Sequence, residues 1–232
     1  MKIRFFIINL IAIVFSIISC ISVSAMTTGF ELEEVSDETK ERIISNKSIN
    51  VINEEAGFES ISCFDVSENG LVAVGVQNGI NNFVNIYDNN GSFLYGYSVG
   101  IDGTFGIEFD NDNLIIHLVR SDIAILIDEN GNYLEINSIK NNYVNNSYWN
   151  NVIFEKAKEI NDSKYQLTNS SGFLKFFAPS YSQLIKTSSD GTQTILIDVS
   201  SEYSVYIIFF IVLGVVLLFS LIAIVFHYFK EK

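Results

Sequence analysis

Arg120 and Asp122 are the first candidates for chemistry in this sequence, because they are charged residues within an otherwise apolar stretch from Leu114 to Ile127. On a strand, alternate side chains share a face, so these two would form a same-face ion pair. The structural interpretation is a paired arginine at a bend between strands, and the functional one is an arginine that binds an anion. His117 would act as a base only beside a nucleophile and an orienting group. No Gly-x-Ser-x-Gly motif occurs, so we interpret His117 as a core or edge residue.

A second candidate is the aromatic cluster in the Asn-rich segment from residue 141 to 154, which contains Tyr148 and the chain's single tryptophan, Trp149. Exposed aromatics beside asparagines are typical of carbohydrate or protein contacts. The alternative is that these side chains plug the domain core. Both interpretations stay open from the sequence.

The inventory of metal ligands excludes a zinc site of histidines and cysteines. The chain has 2 His and 2 Cys, whereas such a site needs four ligands, or three and a water. Asp110, Asp112 and Asn113 have the alternate oxygen spacing of calcium loops. No distal glutamate completes the loop, so we interpret these residues as a polar hairpin turn. We therefore predict no metal and no cofactor.

The charge balance is strongly acidic, with 14 Lys+Arg against 27 Asp+Glu and a net charge of −13. A nucleic-acid partner needs a basic footprint and is therefore not expected. Residues 26–139 carry 4 basic and 20 acidic groups. Such a surface attracts cations or basic partners; the plainer interpretation is a soluble, self-repelling surface.

The N-terminus has the layout of a secretory signal peptide. Lys2 and Arg4 precede an apolar run, and Val23-Ser24-Ala25 places small or branched residues where a signal peptidase requires them. We expect cleavage after Ala25. An uncleaved anchor is the first alternative. Lipidation at Cys20, after a segment that resembles a lipobox, is the second.

The C-terminus predicts a transmembrane helix, Val205 to Phe226, which has 22 residues and no charge. At about 1.5 Å per residue it spans about 33 Å, enough for the hydrocarbon core of a bilayer. Lys230 and Lys232 follow this segment, so the positive-inside rule places the tail in the cytoplasm. The expected localisation is a single-pass cell-membrane protein with its large N-terminal part outside the cytoplasm.

Between the two ends, the sequence predicts an acidic spacer or short helix and then a β-rich domain. Short runs of β-branched and aromatic residues alternate with Asn, Asp and Gly from about residue 48. The predicted domains are the signal peptide 1–25, the spacer 26–47, the β-repeat ectodomain 48–199, the juxtamembrane segment 200–204, the helix 205–226 and the tail 227–232.

An internal repeat organises the β-rich domain. Turns at Gly70, Asn113 and Gly172 are each followed by a second turn 18 to 21 residues later, at Gly91, Gly131 and Gly191. We place an insertion at about residues 138–163, before the third copy. A period near 40 with four strands per unit is typical of propeller blades.

With the segments Phe64-Asp65-Val66 and Ile86-Tyr87-Asp88, each followed by a turn glycine, the chain resembles propeller-type repeat proteins of the NHL and Trp-Asp kind. The Trp-Asp and Gly-His signatures are missing. Three units are fewer than the four to eight blades that close a propeller, so we expect an open propeller-like array or another closure. The Asn- and Ile-rich composition is typical of a low-GC bacterium. The resemblance implies a binding platform.

The leading hypothesis is a non-enzymatic, membrane-anchored binding or sensing module for an extracytoplasmic protein, peptide or glycan. Arg120, Asp122, Tyr148 and Trp149 are its candidate contact residues. The alternatives are a carboxylate-dependent envelope hydrolase, which needs two acids facing each other in a cleft, and an accessory subunit of a larger membrane complex. A deep pocket with two buried acids would favour the hydrolase.

Overall fold

The structure is a computed structural model that describes residues 26–46, 48–57, 60–78, 80–101, 103–169, 181–200, 208–209 and 211–220. Antiparallel strands dominate these residues, which confirms the all-β prediction in its coarse form. The strands are β1 (Leu32–Glu34), β2 (Ile49–Ile52), β3 (Ser60–Val66), β4 (Val72–Asn78), β5 (Asn81–Tyr87), β6 (Phe93–Val99), β7 (Phe105–Asp110), β8 (Asn113–Leu118), β9 (Ile123–Ile127), β10 (Tyr133–Ile139), β11 (Ala157–Ile160), β12 (Ser163–Thr168), β13 (Gln183–Thr187) and β14 (Gln193–Asp198).

Three sheets contain these strands, and each is built around a four-stranded antiparallel meander. Sheet 1 has the order β2-β6-β5-β4-β3, sheet 2 the order β1-β10-β9-β8-β7, and sheet 3 the order β11-β12-β13-β14. The predicted repeat unit therefore corresponds to one sheet. Strands β1 and β2 come from the segment before the repeats and add a fifth strand to sheets 2 and 1 by pairing with β10 and β6.

The second turn of each repeat has one geometry in all three sheets. Gly91, Gly131 and Gly191 have φ values of +84°, +76° and +84°. Each glycine donates its backbone N–H to the carbonyl three residues earlier, and each hairpin carries a register shift. Glycine adopts positive φ without steric cost, which explains why these positions were visible in the sequence.

The third repeat begins earlier than the sequence suggested. Its first hairpin joins β11 and β12 through Asn161 and Asp162, which have φ values of +48° and +60°, and not through Gly172, which lies outside the described residues. Asn and Asp tolerate this left-handed conformation because their short side chains bond the local backbone. The insertion is correspondingly shorter and lies between β10 and β11.

Sheet 1 occupies the middle of the domain, since two separate cores cover its two faces. One core, with Cys63, Val84 and Tyr97, packs it against Ile107 and Ile125 of sheet 2. The other core packs it against sheet 3 and contains the following buried residues: Phe64, Val72, Val74, Tyr87, Tyr165, Leu167, Leu184 and Ile197. Alternation along the strands divides the side chains between the two faces, and a register shift in β3 places Ile61 and Cys63 in opposite cores.

The outer face of sheet 2 is covered by the insertion and by the segment after Ala25. The insertion forms α2 (Tyr143–Tyr148) and a π-helix (Trp149–Ile153). Met26, Phe30, Trp149 and Ile153 are buried there against sheet 2. The backbone of β7 comes so close that a Cβ at Gly106 would lie 2.2 Å from Ile153 Cγ2, so only glycine fits this position.

A short helix precedes the repeats, as the acidic segment predicted. Helix α1 (Asp37–Ser45) begins at Ser36, whose side chain accepts a hydrogen bond from Thr39 N. Asp37 and Glu38 lie in its first turn and Arg42 in its last, which suits the helix dipole. It contributes no fully buried residue.

The two predicted terminal segments lie largely outside the described residues. Residues 1–25 are not described, so the signal peptide and its alternatives stay predictions. In the predicted span, residues 211–220 are helical and exposed. Among the residues that the structure describes, no helix has both the length and the apolarity to cross a membrane; the span from Val205 to Phe226 remains a prediction.

Candidate functional site

The first strands of the three repeats, β3, β7 and β11, border a cleft of about 640 Å³ that we call the central cleft. Strand β3 contributes Asp65, β7 contributes Glu108, and β11 contributes Lys158 and Glu159. The insertion adds Val152 and Glu155. Charged side chains from all three repeats and the insertion therefore face one space, although each lies far from the others in sequence.

An ion pair joins sheets 1 and 3 at this cleft. Lys158 Nζ lies 2.8 Å from Asp65 Oδ1, and the two side chains are 10% and 11% exposed. The other carboxylate oxygen of Asp65 accepts a hydrogen bond from Phe109 N at 2.6 Å. Asp65 thus connects all three sheets, because Phe109 belongs to β7.

Glu108 is the second acid in the interior of the cleft, with its side chain 15% exposed, and three donors surround it. Its Oε2 lies 2.6 Å from Thr28 Oγ1 and 3.1 Å from His117 Nε2, and its Oε1 accepts a short hydrogen bond from the Tyr148 hydroxyl. Burial by itself would raise the pKa of Glu108, but the hydrogen bonds from His117, Thr28 and Tyr148 outweigh burial and lower it. Glu108 is therefore ionised at neutral pH.

His117 is fully buried on β8, directly opposite Gly106 and diagonal to Glu108. Burial lowers the pKa of its imidazole, although the neighbouring Glu108 acts in the opposite direction. A neutral ring that donates from Nε2 leaves Nδ1 as an acceptor, and Nδ1 has no hydrogen-bond partner among the described residues. His117 is therefore a core residue in contact with the cleft's carboxylate, as its structural interpretation predicted.

Arg120 and Asp122 are not part of this site. They lie in the turn between β8 and β9 rather than on a strand, so the predicted same-face arrangement is wrong. Asp122 has a φ of +53°, and its backbone carbonyl accepts hydrogen bonds from Ile139 N and Ser138 Oγ. No ion pair of the described chain joins Arg120 to Asp122. Arg120 is exposed.

Tyr148 and Trp149, the other two predicted contact residues, lie together against the outer face of sheet 2. Trp149 is 9% exposed and stacks on Phe154 at a centroid distance of 5.7 Å. Phe30 packs against both of them and against His117. Of the two alternatives, the structure favours aromatics that plug the core, and Tyr148 contacts the cleft only through Glu108.

The acidic turns bind the protein's own backbone and side chains. Asp128 Oδ1 accepts hydrogen bonds from Asn130 N and Asn132 N, as expected for a turn residue. Asp110 Oδ2 accepts one from Thr27 N, and Asp112 accepts two from the Asn69 amide. Within the described ranges, no group of three or more His, Cys, Asp or Glu side chains is arranged to hold a metal ion.

Sequence reasoning did not find Asp65, Glu108 or Lys158 as a group. No motif marks any of the three in the sequence, and only the convergence of the first strands brings them together. The repeat itself held the usable signal, since the first strands of the repeats lie next to one another: β3 contacts both β7 and β11.

No protein-family model matches this chain, and neither a curated protein nor a solved structure is significantly similar to it. The resemblance to NHL and Trp-Asp repeats therefore remains an expectation. The case for function depends on the geometry of the central cleft.

Proposed function

We propose that this chain is a membrane-anchored, extracytoplasmic binding module without enzymatic activity, and that its ligand is a basic segment of a protein or peptide that enters the central cleft. The observation that carries the proposal is the charge of the cleft rim. Glu155 and Glu159 line the cleft and are exposed, and neither takes part in an ion pair within the described part of the chain.

The interior of the cleft does not cancel this negative rim. Lys158 is neutralised by Asp65 at 2.8 Å, and Glu108 is an ionised carboxylate whose donors are neutral groups. Lys164 lines the cleft as well, so the described lining is net acidic. Lysine or arginine side chains of a ligand would gain favourable electrostatic contacts there.

The hydrogen bonds of the buried acids favour binding over acid catalysis. A glycosidase general acid has a raised pKa, whereas hydrogen bonding lowers the pKa of Glu108. Asp65 forms an ion pair with Lys158. Cys63 is not a competent nucleophile, because burial raises the pKa of its thiol to about 12. The hydrolase alternative thus lacks the raised pKa at Glu108 that a general acid in the cleft would need.

The placement of the module at a membrane is supported by the sequence of its two ends. The signal peptide before Met26 and the apolar span from Val205 to Phe226 together predict that residues 26–204 lie outside the cytoplasm. In that position the cleft would face envelope proteins or peptides.

The test is a binding measurement on the full chain in detergent, with a fluorescent lysine-rich peptide as the probe and a glutamate-rich peptide of equal length as its counterpart. We expect salt-sensitive binding of the basic peptide. The double substitution E155Q/E159Q should weaken it about five- to tenfold, since each exposed charge contributes roughly 0.5–0.7 kcal/mol.

The matched control is E38Q/E41Q, which removes two exposed charges from α1, and neither residue lines the cleft. This variant should bind like the wild type. Equal weakening by both double variants would mean that the acidic surface attracts the peptide as a whole. Saturable binding of a neutral oligosaccharide that E155Q/E159Q abolishes would replace the basic ligand with a glycan.

A further inference from the structure

Three consecutive residues after Ala25 each bond a different carboxylate of sheet 2. Met26 N donates to Glu135 Oε2 at 2.5 Å, and Thr27 N donates to Asp110 Oδ2 at 2.9 Å. Thr28 Oγ1 donates to Glu108 Oε2 at 2.6 Å. Strands β7 and β10 therefore present a set of three acids, which we call the acidic seat (Glu108, Asp110 and Glu135), and the start of the described chain occupies it.

The acidic seat is a part of the packed domain and not a surface contact. The Met26 side chain is 7% exposed and belongs to the same core as Trp149. Gly29 follows so closely against the Tyr148 ring that a Cβ there would lie 2.2 Å from Tyr148 Cε2. The segment from Met26 to Phe30 is consequently held at both its backbone and its side chains.

The acidic seat carries a charge that the described residues do not balance. Within the described ranges no lysine or arginine forms an ion pair with Glu108, Asp110 or Glu135, and His117 is neutral because burial lowers its pKa. Glu135 also accepts a hydrogen bond from the Asn137 side-chain amide at 2.6 Å, and this donor is neutral as well. Met26 reaches this group through its backbone nitrogen, which bonds Glu135.

The nitrogen of Met26 is also the atom that the predicted signal-peptide cleavage would free. Hydrolysis of the Ala25–Met26 peptide bond consumes one water, leaves a carboxylate on Ala25 and releases the Met26 amine, which is an ammonium at neutral pH. We propose that the mature chain begins at Met26 and that its terminal ammonium forms an ion pair with Glu135 in the acidic seat, so that removal of the signal peptide supplies the missing cation.

Processing then completes the fold. In the precursor, the Met26 nitrogen is an amide with one N–H, which gives Glu135 one neutral hydrogen bond beside that from the Asn137 amide. In the mature chain it has three N–H donors and a positive charge, and charge-assisted hydrogen bonds are about twice as strong as neutral ones. This inference depends on the predicted cleavage site and is independent of which ligand the central cleft takes.

The experiment is to express the full chain in a secreting bacterial host, purify it in detergent, and determine its N-terminus by intact mass. The expected N-terminus is Met26. Thermal unfolding of E135Q should then occur about 3 to 8 °C below the wild type. The matched control, E129Q, removes an exposed charge from the neighbouring turn and should unfold within about 1 °C of the wild type.

A second form of the protein distinguishes the effect of the Met26 ammonium from the effect of the other contacts of Glu135. Insertion of Gly-Ser between Ala25 and Met26 keeps the cleavage site but turns the Met26 nitrogen back into an amide. In that background E135Q should lower the unfolding temperature by less than half as much as in the wild type. An equal decrease in both backgrounds would overturn the ion pair, and so would a mature N-terminus at Met1 or Cys20.

The wild type alone provides a further measurement if E135Q does not accumulate. A reagent that acylates α-amines should label the native Met26 terminus much more slowly than the Gly-Ser-extended terminus, and equally fast after both are unfolded. Equal labelling rates in the native proteins would show an exposed terminus and would contradict the proposal.

Discussion

His117 Nε2 donates to Glu108 Oε2 across 3.1 Å, while the other ring nitrogen of His117, Nδ1, is buried without a hydrogen-bond partner among the described residues. The neutral imidazole thus donates a hydrogen bond to the ionised carboxylate from the core. The hydroxyl groups of Thr28 and Tyr148 donate two more hydrogen bonds to the same carboxylate. The cost of an orphaned buried acceptor is about 1–3 kcal/mol. The bond to Glu108 offsets that cost.

The substitution H117A should destabilise the domain by about 2–4 kcal/mol, because it leaves a cavity and removes one donor from a buried charge. H117Q should cost less, since an amide N–H retains the hydrogen bond to Glu108. Urea unfolding of the full chain in detergent, followed by the fluorescence of Trp149, measures both. Equal free energies of unfolding for H117A and the wild type would mean that His117 does not support Glu108.

The stability should also depend on pH through His117. Burial lowers the pKa of this imidazole below its ordinary value of 6.5, so in mildly acidic solution the unfolded chain binds a proton that the folded chain does not. The free energy of unfolding therefore falls as the pH decreases through about 6.5. The difference between wild type and H117Q, measured from about pH 7.5 to 5, isolates this contribution. A pH-independent difference would contradict the lowered pKa.

Alanine substitutions at three turn glycines distinguish the cost of a positive φ from the cost of steric crowding. A Cβ at Gly91 would lie 2.6 Å from the Leu196 carbonyl oxygen, one at Gly131 would lie 2.8 Å from Val51 Cγ2, and one at Gly191 would meet nothing within 4 Å. G191A should therefore cost only the positive-φ strain of about 1 kcal/mol. G131A should cost more and G91A the most, because a backbone carbonyl cannot move aside as a side chain can. Thermal unfolding gives the ranking, and a reversed order would show that the hairpins adjust freely.

Lys158 and Asp65 should be strongly coupled. K158M leaves the Asp65 carboxylate buried without its cation and should destabilise the domain by about 3–5 kcal/mol. The double variant K158M/D65N should recover part of this loss, since the neutral amide can still accept the hydrogen bond from Phe109 N. A double-mutant cycle of unfolding free energies tests this, and additive effects would show that the ion pair does not hold sheet 3 to sheet 1.

The membrane topology predicts a protease pattern. Protease added to intact cells should remove the segment from 26 to 204 and leave a small fragment that contains the span and the cytoplasmic tail. A tag after Lys232 detects that fragment by immunoblot. Digestion of the tag, with the β-repeats protected, would reverse the predicted orientation.

Local signals in the sequence predicted the hairpins well. Gly91 and Gly131 follow Asp-x-Asn segments whose backbone geometry is set within four residues, and α1 is set by its own cap and dipole. The third repeat was misplaced because Asn161 and Asp162 adopt positive φ without a glycine, and the prediction put its first turn at Gly172, which lies outside the described residues.

Local sequence signals could not predict the contacts between residues that are distant in the sequence. Asp65 and Lys158 are 93 positions apart, and Met26 and Glu135 are 109 apart. Nothing in the spacing of either pair differs from that of ordinary surface residues. The pairs arise from the order in which three meanders pack, which is a property of the whole chain.

The pairing of β1 with β10 has a consequence for how the protein folds. Synthesis runs from the N-terminus, yet Leu32 pairs with Ile139, so the start of the domain stays without its partner until more than half of the chain has been made. Contacts of such long sequence separation form late, because the closure entropy of the intervening loop must be overcome first. We expect the segment from Met26 to Glu34 to join a nearly complete domain. Substitutions in that segment should then accelerate unfolding while the folding rate changes little.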